Sequence, residues 1–229
     1  MMKQKKRGMV ILVKIKITRK QKILFIIICI ILMTEVAFIT YRVLLKKHSG
    51  NVIEEEVYEV REEAMRSDLY NYKITNRATE YEKELFKGLV DVLEEDVISY
   101  EDYATYLTKI FVADLFTLKN KRSSSDIRCS QYVYDEYQST FELMVKESIY
   151  SNIELDFDGT REQKLPVVKN IEINSIDREV FTLNDEIIDN EAFKINVSIE
   201  YEEDLGYPVS YNVILVNKDK KLQVVKSFE

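Results

Sequence analysis

The chain has 229 residues and a formal net charge of −7. Residues 1–50 carry twelve Lys and Arg against the single acid Glu35, a balance of +11, which leaves 21 basic and 39 acidic side chains, a balance of −18, for residues 51–229. The acidic remainder excludes nucleic-acid binding as the main function, because that needs a basic face. With only Cys29 and Cys129 present, a disulfide framework is excluded too.

The first predicted element is a membrane span over residues 23–45. Its apolar run from Ile23 to Tyr41 has nineteen residues, enough to cross most of a hydrocarbon core of about 30 Å. A cleaved signal would have a shorter apolar core followed by small residues, and the flanking sequence AFITYRVLLKK has no such site. Nine basic residues precede the run and three follow it, so residues 1–22 are predicted to be a cytoplasmic basic tail that also contacts lipid headgroups.

Glu35 lies near the middle of this span, two helical turns before Arg42 and on nearly the same face. The twelve Ile, Leu, Phe and Val side chains of the run contribute about −0.3 to −0.6 kcal/mol each to insertion, whereas one central charge costs about 2.5 to 3.5 kcal/mol. Insertion therefore remains favourable. Two interpretations stay open: a tolerated neutral acid, or a contact with a partner helix, for which Glu35 and Arg42 are the candidate residues.

Residues 46–73 are predicted to be a juxtamembrane linker with a helix. Over residues 52–70, apolar side chains recur at steps of four, three and four residues, which is typical of one face of a helix. This face comprises Ile53, Val57, Val60 and Ala64. We expect this helix to lead from the membrane into the outer domain.

Three further helices are predicted in the outer domain, which we place at residues 74–229. The pattern over residues 76–97 predicts a helix whose apolar face comprises Ala78, Tyr81, Leu85, Leu89 and Leu93. The next segment, residues 99–120, begins with Ser99 and Asp102 in capping-box spacing, and its apolar side comprises Tyr103, Leu107, Ile110, Phe111 and Leu115. The last, residues 130–150, has a face of Tyr134, Tyr137, Phe141, Met144, Val145 and Ser148.

From Leu165 onwards the apolar period changes from about 3.6 to about 2. Strands are predicted at residues 167–176, 193–203, 208–218 and 221–229, the last three joined by the turn sequences DLGY and NKDK, with a short extra strand around Phe181. The fold class is therefore α+β: one transmembrane helix, then N-terminal helices packed on a C-terminal antiparallel sheet of about four strands.

This order of a cytoplasmic tail, one span, helices and a terminal meander, closed by YNVILVNKDKKLQVVKSFE, resembles the inner-membrane scaffold component of type IV secretion and conjugation systems. That family has the cone-shaped, cystatin-like roll of the nuclear-transport-factor-two-like superfamily. The resemblance is architectural and covers residues 74–229. It implies a bacterial membrane scaffold whose outer roll associates with itself or with other envelope proteins.

Residues suited to catalysis or metal binding are few. A Ser-His-Asp, Cys-His or His-ligated metal site would need the single histidine, His48, beside the membrane. The sequence ELDFDG at residues 154–159 resembles the start of a calcium loop, but the bidentate Glu required at position twelve is Leu165, so we interpret it as a polar turn. The acidic runs at 54–56, 94–96 and 200–204 are interpreted as solvated surface. We predict no catalytic, cofactor-binding or metal-binding residue.

The sequence thus predicts a non-enzymatic, single-pass scaffold in the bacterial plasma membrane, with its C-terminal domain outside, in a conjugation or secretion machine. Its predicted partners are membrane lipids, through residues 23–45 and the basic tail, and other copies or other envelope proteins. An extracytoplasmic ligand-binding or regulatory domain is the alternative. An envelope hydrolase, using two carboxylates in one cleft, is a third hypothesis.

Overall fold

The computed structural model describes residues 63–156 and 158–228. Within them the fold is α+β, with three helices packed on a four-stranded antiparallel sheet and a small two-stranded sheet before them. The elements in chain order are β1 (Glu63–Arg66), β2 (Lys73–Thr75), α1 (Glu80–Leu93), α2 (Tyr100–Phe116), α3 (Gln138–Glu147), β3 (Val168–Leu183), β4 (Glu186–Tyr201), β5 (Ser210–Lys218) and β6 (Lys221–Phe228).

The four long strands form a meander in the order β3-β4-β5-β6, so each strand pairs with its neighbour in sequence. The β3–β4 turn has Asn184 and Asp185 at φ 48° and 65°, and the β5–β6 turn has Asp219 and Lys220 at φ 52° and 71°. Two left-handed residues give such a turn the twist of the flanking strands. The sequence NKDK was correctly predicted to form a hairpin.

One face of this sheet packs on the helices and forms the main core. On β4 the buried side chains alternate as Phe193, Ile195, Val197 and Ile199, and those of β5 on the same face are Tyr211, Val213 and Leu215. Helix α2 lies at the centre of the helical layer, because eleven of its 17 residues are buried and it contacts β3, β5 and β6.

Helices α1 and α2 each begin after a residue whose side chain caps the helix N-terminus. The side chain of Ser99 accepts a hydrogen bond from Asp102 N at 3.3 Å, which confirms the predicted start of α2. Helix α1 has a full capping box that we had not predicted: Thr79 Oγ1 accepts from Glu82 N at 3.1 Å, and Thr79 N donates to Glu82 Oε2 at 2.7 Å.

The prediction of a helix over residues 130–150 is wrong in its first third. Residues Arg128–Tyr132 and Asp135–Tyr137 form 3₁₀ turns, and α3 begins only at Gln138. Between the turns, Tyr134 N donates to Val224 O at 2.9 Å, so the chain covers the edge of β6 instead of continuing a helix. Exposed strand edges need such cover. Met144, placed on the predicted apolar face, is 65% exposed.

Two further sequence predictions are corrected. The segment around Phe181 is the distal half of β3, which runs on to Leu183, and is not a separate strand. The predicted helix over residues 52–70 lies mostly outside the described residues, but at Glu63–Arg66 the chain forms a strand that pairs with β2. Tyr72, which follows the β1–β2 turn, belongs to the main core.

None of the helices in the described part of the chain is long and apolar enough to cross a membrane. The predicted tail at 1–22 and the predicted span at 23–45, with Glu35 and Arg42, lie outside the described residues. These remain predictions.

Helices α1 and α2 approach closely at Gly88, where an added Cβ would lie 2.7 Å from Cζ of the Tyr106 ring. Gly88→Ala should therefore combine a gain in helix propensity of about 1 kcal/mol with a steric penalty. In a Tyr106→Ala background the penalty disappears. We expect the effect of Gly88→Ala on the free energy of unfolding to be more favourable there by about 1 kcal/mol or more. Urea unfolding of the native protein, the two single variants and the double variant measures these free energies. An equal effect of Gly88→Ala in both backgrounds would contradict the close packing of Gly88 against Tyr106.

Candidate functional site

A cluster of charged side chains lies inside the helical layer. It comprises Glu82 of α1, Asp114 of α2, and Lys121, Asp126 and Arg128 of the segment after α2; we call it the buried ion cluster. Glu82, Asp114 and Lys121 are only 1%, 7% and 0% exposed. Residues 119–128 have the polar sequence KNKRSSSDIR, and this segment nevertheless supplies interior side chains.

The cations of the cluster are held by carboxylates. The Lys121 ammonium donates to Asp114 Oδ1. The Arg128 guanidinium places Nε 3.2 Å from Asp126 Oδ1 and 3.8 Å from Asp114 Oδ1. Tyr150 adds a hydrogen bond of 3.2 Å from its hydroxyl to the carbonyl oxygen of Asp114. Asp114 is therefore surrounded by two cations and one tyrosine.

Polar side chains connect the cluster to the rest of the helical layer. Arg128 donates from Nη1 to Thr75 Oγ1 in β2 and from Nη2 to Asn120 Oδ1 at 2.9 Å. Asn120 in turn donates from Nδ2 to Glu82 Oε2 at 2.8 Å, the oxygen that also accepts from Thr79 N. Strand β2, helix α1 and the loop after α2 are thus joined by one hydrogen-bonded path.

The charges of this cluster are unequal, with three carboxylates facing two cations. Burial, followed by repulsion from Asp114, raises the pKa of Glu82 above its ordinary value, while Lys121, the Thr79 amide and Arg128 act in the opposite direction. A proton on Glu82 would leave two carboxylates against two cations. The cluster is therefore arranged to hold Glu82 in its neutral form more readily than an exposed glutamate.

A small cleft opens beside the cluster and is lined by Thr75, Glu82, Asp114, Arg128 and Tyr132, among others. It has room for about one water molecule. Asp114 Oδ2, a buried acceptor, has no hydrogen-bond partner within the described residues. Glu82 and Asp114 are two carboxylates beside one cleft, as glycoside cleavage requires, but a sugar ring is much larger than this cleft, and Glu82 already caps α1.

Tyrosines join three turns at another part of the domain. Tyr70, in the β1–β2 turn, donates to the carbonyl oxygen of Lys220 at 2.7 Å, and Tyr100 donates to the same oxygen at 3.4 Å. Tyr70 also stacks on Tyr103, with the ring centroids 6.1 Å apart. The β1–β2 turn, the β5–β6 turn and the first turn of α2 are therefore held together.

Apolar side chains adjoin these tyrosines in the chain and remain exposed. Leu69, which precedes Tyr70, is 40% exposed, and Val97, three residues before Tyr100, is 83% exposed. Ile98 is half-buried. We call Leu69, Tyr70, Val97, Ile98 and Tyr100, which belong to two segments joined at the carbonyl oxygen of Lys220, the apolar patch. Carboxylates border it in sequence on both sides of Val97, at Glu94, Glu95, Asp96, Glu101 and Asp102.

The carboxylates of ELDFDG do not converge on one point. Asp156 is buried and forms an ion pair with Arg77 at 3.3 Å, whereas Asp158 accepts hydrogen bonds from its neighbour Thr160. Within the described ranges, no group of three or more His, Cys, Asp or Glu side chains is placed to hold a metal ion. The segment is a turn in which Gly159 has φ 77°.

The other sequence candidates are distributed over the chain. His48 and the acidic run at 54–56 lie outside the described residues. The acidic side chains at 94–96 and 200–204 are exposed, and two of the latter pair with lysines: Glu200 with Lys169 at 2.6 Å and Glu203 with Lys164 at 2.7 Å. Sequence analysis missed Glu82, Asp114 and Lys121, and the only available signal was that Asp114 interrupts the apolar face of α2.

Comparison of the chain with protein-family models, with curated proteins and with solved structures gave no match. The resemblance to the nuclear-transport-factor-two-like roll therefore stays a prediction.

Glu82→Gln tests the ionisation of the cluster, because the amide keeps an acceptor for Thr79 N and Asn120. The raised pKa means that the folded state binds the proton more tightly than the unfolded state. The native protein should therefore lose stability as pH rises from about 4.5 through the raised pKa, and the variant should lack this loss. Urea unfolding between about pH 4 and pH 7 measures the difference.

Glu84→Gln, on the exposed side of the same helix, is the matched control and should follow the native protein. If the stability of the Glu82→Gln protein changes with pH in the same way as that of the native protein, the pKa of Glu82 is not raised by folding.

Cys129 is fully buried, and burial raises the pKa of its thiol. A membrane-impermeant thiol reagent would therefore not report membrane topology through Cys129 of the native protein. In a Cys29→Ser protein, we predict that a thiol reagent reacts with Cys129 only in denaturant. Rapid reaction of the native protein would contradict the burial.

Proposed function

We propose that the protein is a non-enzymatic, single-pass membrane scaffold whose acidic α+β domain lies outside the cell and binds other proteins of the envelope. The apolar run at residues 23–45 and the excess of basic residues before it support the anchor and its orientation. The folded domain after this run supports a role performed outside the membrane.

The observation that carries the proposal is the apolar patch. Val97 exposes 83% of its surface, although the same domain buries a large continuous core. Single exposed apolar residues are common, but a group bordered by polar residues is typical of a protein interaction site. The two tyrosines of the patch also support an interaction site, because aromatic side chains are enriched in protein interfaces.

A bacterial conjugation or secretion machine is the setting that we propose for this scaffold. The order of tail, span, helices and terminal meander supports it, through the resemblance described above. The meander and its closing hairpin are present in the domain.

A ligand-binding or regulatory domain is the second candidate. The cleft beside the buried ion cluster favours it, because Asp114 Oδ2 is a buried acceptor without a partner in the described residues. A ligand of this cleft would be no larger than a water molecule or a small ion. For this reason we prefer the scaffold.

The proposal is tested by cross-linking the full-length protein in native membranes, followed by purification in mild detergent. A scaffold should give cross-linked species larger than the monomer and should co-purify with stoichiometric partners or copies. A monomer both in membranes and in detergent, without partners, would overturn the proposed function.

Glu35→Leu tests the membrane contact. The change removes the only acid of the span, so insertion should remain intact while the yield of cross-linked assembly falls, because a hydrogen bond between helices is lost. Thr34→Leu removes a neighbouring polar side chain and serves as the control. Membrane fractionation measures insertion, and unchanged cross-linking of the Glu35→Leu protein would leave the tolerated neutral acid as the correct interpretation.

A further inference from the structure

The ion pair between Lys121 and Asp114 differs from the other lysine–carboxylate pairs in the described part of the chain. Both of its partners are buried, whereas in every other pair at least one side chain is accessible to water. Water solvates the charges of an exposed pair. In the interior two charges are costly to hold, and a reaction that turns both groups into one neutral product removes that cost.

The contact holds a nucleophilic nitrogen against an electrophilic carbon. Lys121 Nζ donates to Asp114 Oδ1, so the nitrogen lies close to Cγ, the carboxyl carbon of the same group. Nζ also lies 5.8 Å from the centroid of the Tyr150 ring, and Tyr150 is fully buried. The amine and the carboxyl carbon are therefore held together away from bulk water, which lowers the entropic barrier to a reaction between them.

We propose that Lys121 and Asp114 become joined by an amide bond between Nζ and Cγ, with Glu82 as the proton carrier and one water molecule as the other product. The ammonium group first passes one proton by way of Glu82 to Oδ2 of the carboxylate. The neutral amine then attacks Cγ and the N–Cγ bond forms. A second proton moves from the nitrogen to Oδ2, and the Cγ–Oδ2 bond breaks as water leaves. No oxidant, cofactor or other reactant is needed.

The buried ion cluster supplies a group for each step. Glu82 lines the same cleft as Asp114, and its raised pKa suits it to carry a proton. Arg128 Nε lies 3.8 Å from Asp114 Oδ1, the oxygen on which negative charge develops when Cγ becomes tetrahedral, and a fixed cation there stabilises that charge. Oδ2 has no hydrogen-bond partner within the described residues, and the cleft has room for the water that it becomes.

Asp126 and Glu82 are less suited than Asp114 to form the bond. Asp126 pairs with Arg128 at 3.2 Å and accepts from Arg122 N at 2.9 Å. Glu82 accepts from Thr79 N and from Asn120. Within the described residues, Asp114 is the carboxylate with which Lys121 forms an ion pair.

The amide would link the last turn of α2 covalently to the loop that follows it. The described domain contains one cysteine, Cys129, which is free, so the link would give this domain a covalent constraint that does not depend on redox conditions. The net charge of the cluster stays the same, because one cation and one carboxylate disappear together. This inference is independent of the proposed scaffold function, and either can fail without the other.

The test is peptide mapping of the full-length protein, which is purified in detergent and unfolded before digestion with trypsin. Trypsin cleaves after Lys and Arg, so an unlinked chain gives residues 110–119 and residues 120–121 as separate peptides. An amide at Lys121 blocks cleavage there. We expect residues 110–119 joined to residues 120–122, with a mass lower by one water molecule than the sum of the two peptides. Fragmentation in the mass spectrometer locates the bond.

Lys169 provides a matched control within the same digest, because its ammonium lies 2.6 Å from Glu200 at the surface. Trypsin should cleave after Lys169 completely. Complete cleavage after Lys121 without a linked peptide would overturn the proposal. A loss of water confined to residues 110–119 would also overturn it, because Asp114 would then have formed a cyclic imide with its own backbone. In a Lys121→Arg protein the linked peptide should be absent, because a guanidinium group stays protonated.

Glu82→Gln tests the proton carrier, because the amide keeps an acceptor for Thr79 N. After a short pulse of isotope-labelled synthesis, the labelled linked peptide should form about a hundredfold more slowly than in the native protein. Glu84→Gln, on the exposed side of α1, should keep the native rate. Urea unfolding confirms that both variants are folded. An unchanged rate in the folded Glu82→Gln protein would overturn the role of Glu82.

Discussion

The ion pair between Asp114 and Lys121 is the interaction on which the helical layer depends. Asp114 lies on α2, the most deeply buried helix, and Lys121 has no exposed surface. Removing either partner would leave one charge in a medium of low polarity, which is far more costly than losing a surface pair. The chain after α2 must therefore turn inward at Lys121, and this turn also positions Asn120 and Arg128 to contact Glu82 and Thr75. From outside, Arg161 holds the same loop by donating to the carbonyl oxygens of Lys119 and Lys121 at 2.8 and 2.9 Å.

This arrangement uses the charged groups of the interior for structure. Glu82 caps α1, Asp114 binds the two cations, and the cleft beside them has room for about one water molecule. At the surface around Val97 the opposite holds, because acids at the end of α1 lack salt-bridge partners in the described part of the domain. Exposed carboxylates are accessible to a partner, whereas the cleft in the interior has no room for a ligand larger than a water molecule or a small ion.

Local patterns were reliable where local physics sets the structure. The start of α2 followed from Ser99 and the hydroxyl that it offers to a backbone amide, and the alternation along β4 and β5 followed from a sheet with one buried face. Prediction failed where pairing with another strand decides the conformation. Tyr134 is extended because the edge of β6 offers it Val224 O, and Glu63–Arg66 is a strand because β2 pairs with it. Val224 lies far along the chain from Tyr134, and β2 begins after the last residue of the predicted helix.

The sequence by itself determined the class of the domain and its sign of charge, because apolar periodicity and composition are properties of contiguous residues. It also predicted the anchor and the acid within it, Glu35. Only the tertiary structure decided which polar residues are interior. Lys121 stands in a polar segment, and Glu82 and Asp114 stand on helices separated from it in sequence. Burial depends on the packing of all three, so a side chain that looks solvated in sequence becomes the buried partner of Asp114. Folding likewise joined Tyr70 and Tyr100, which belong to two distant segments, at the carbonyl oxygen of Lys220.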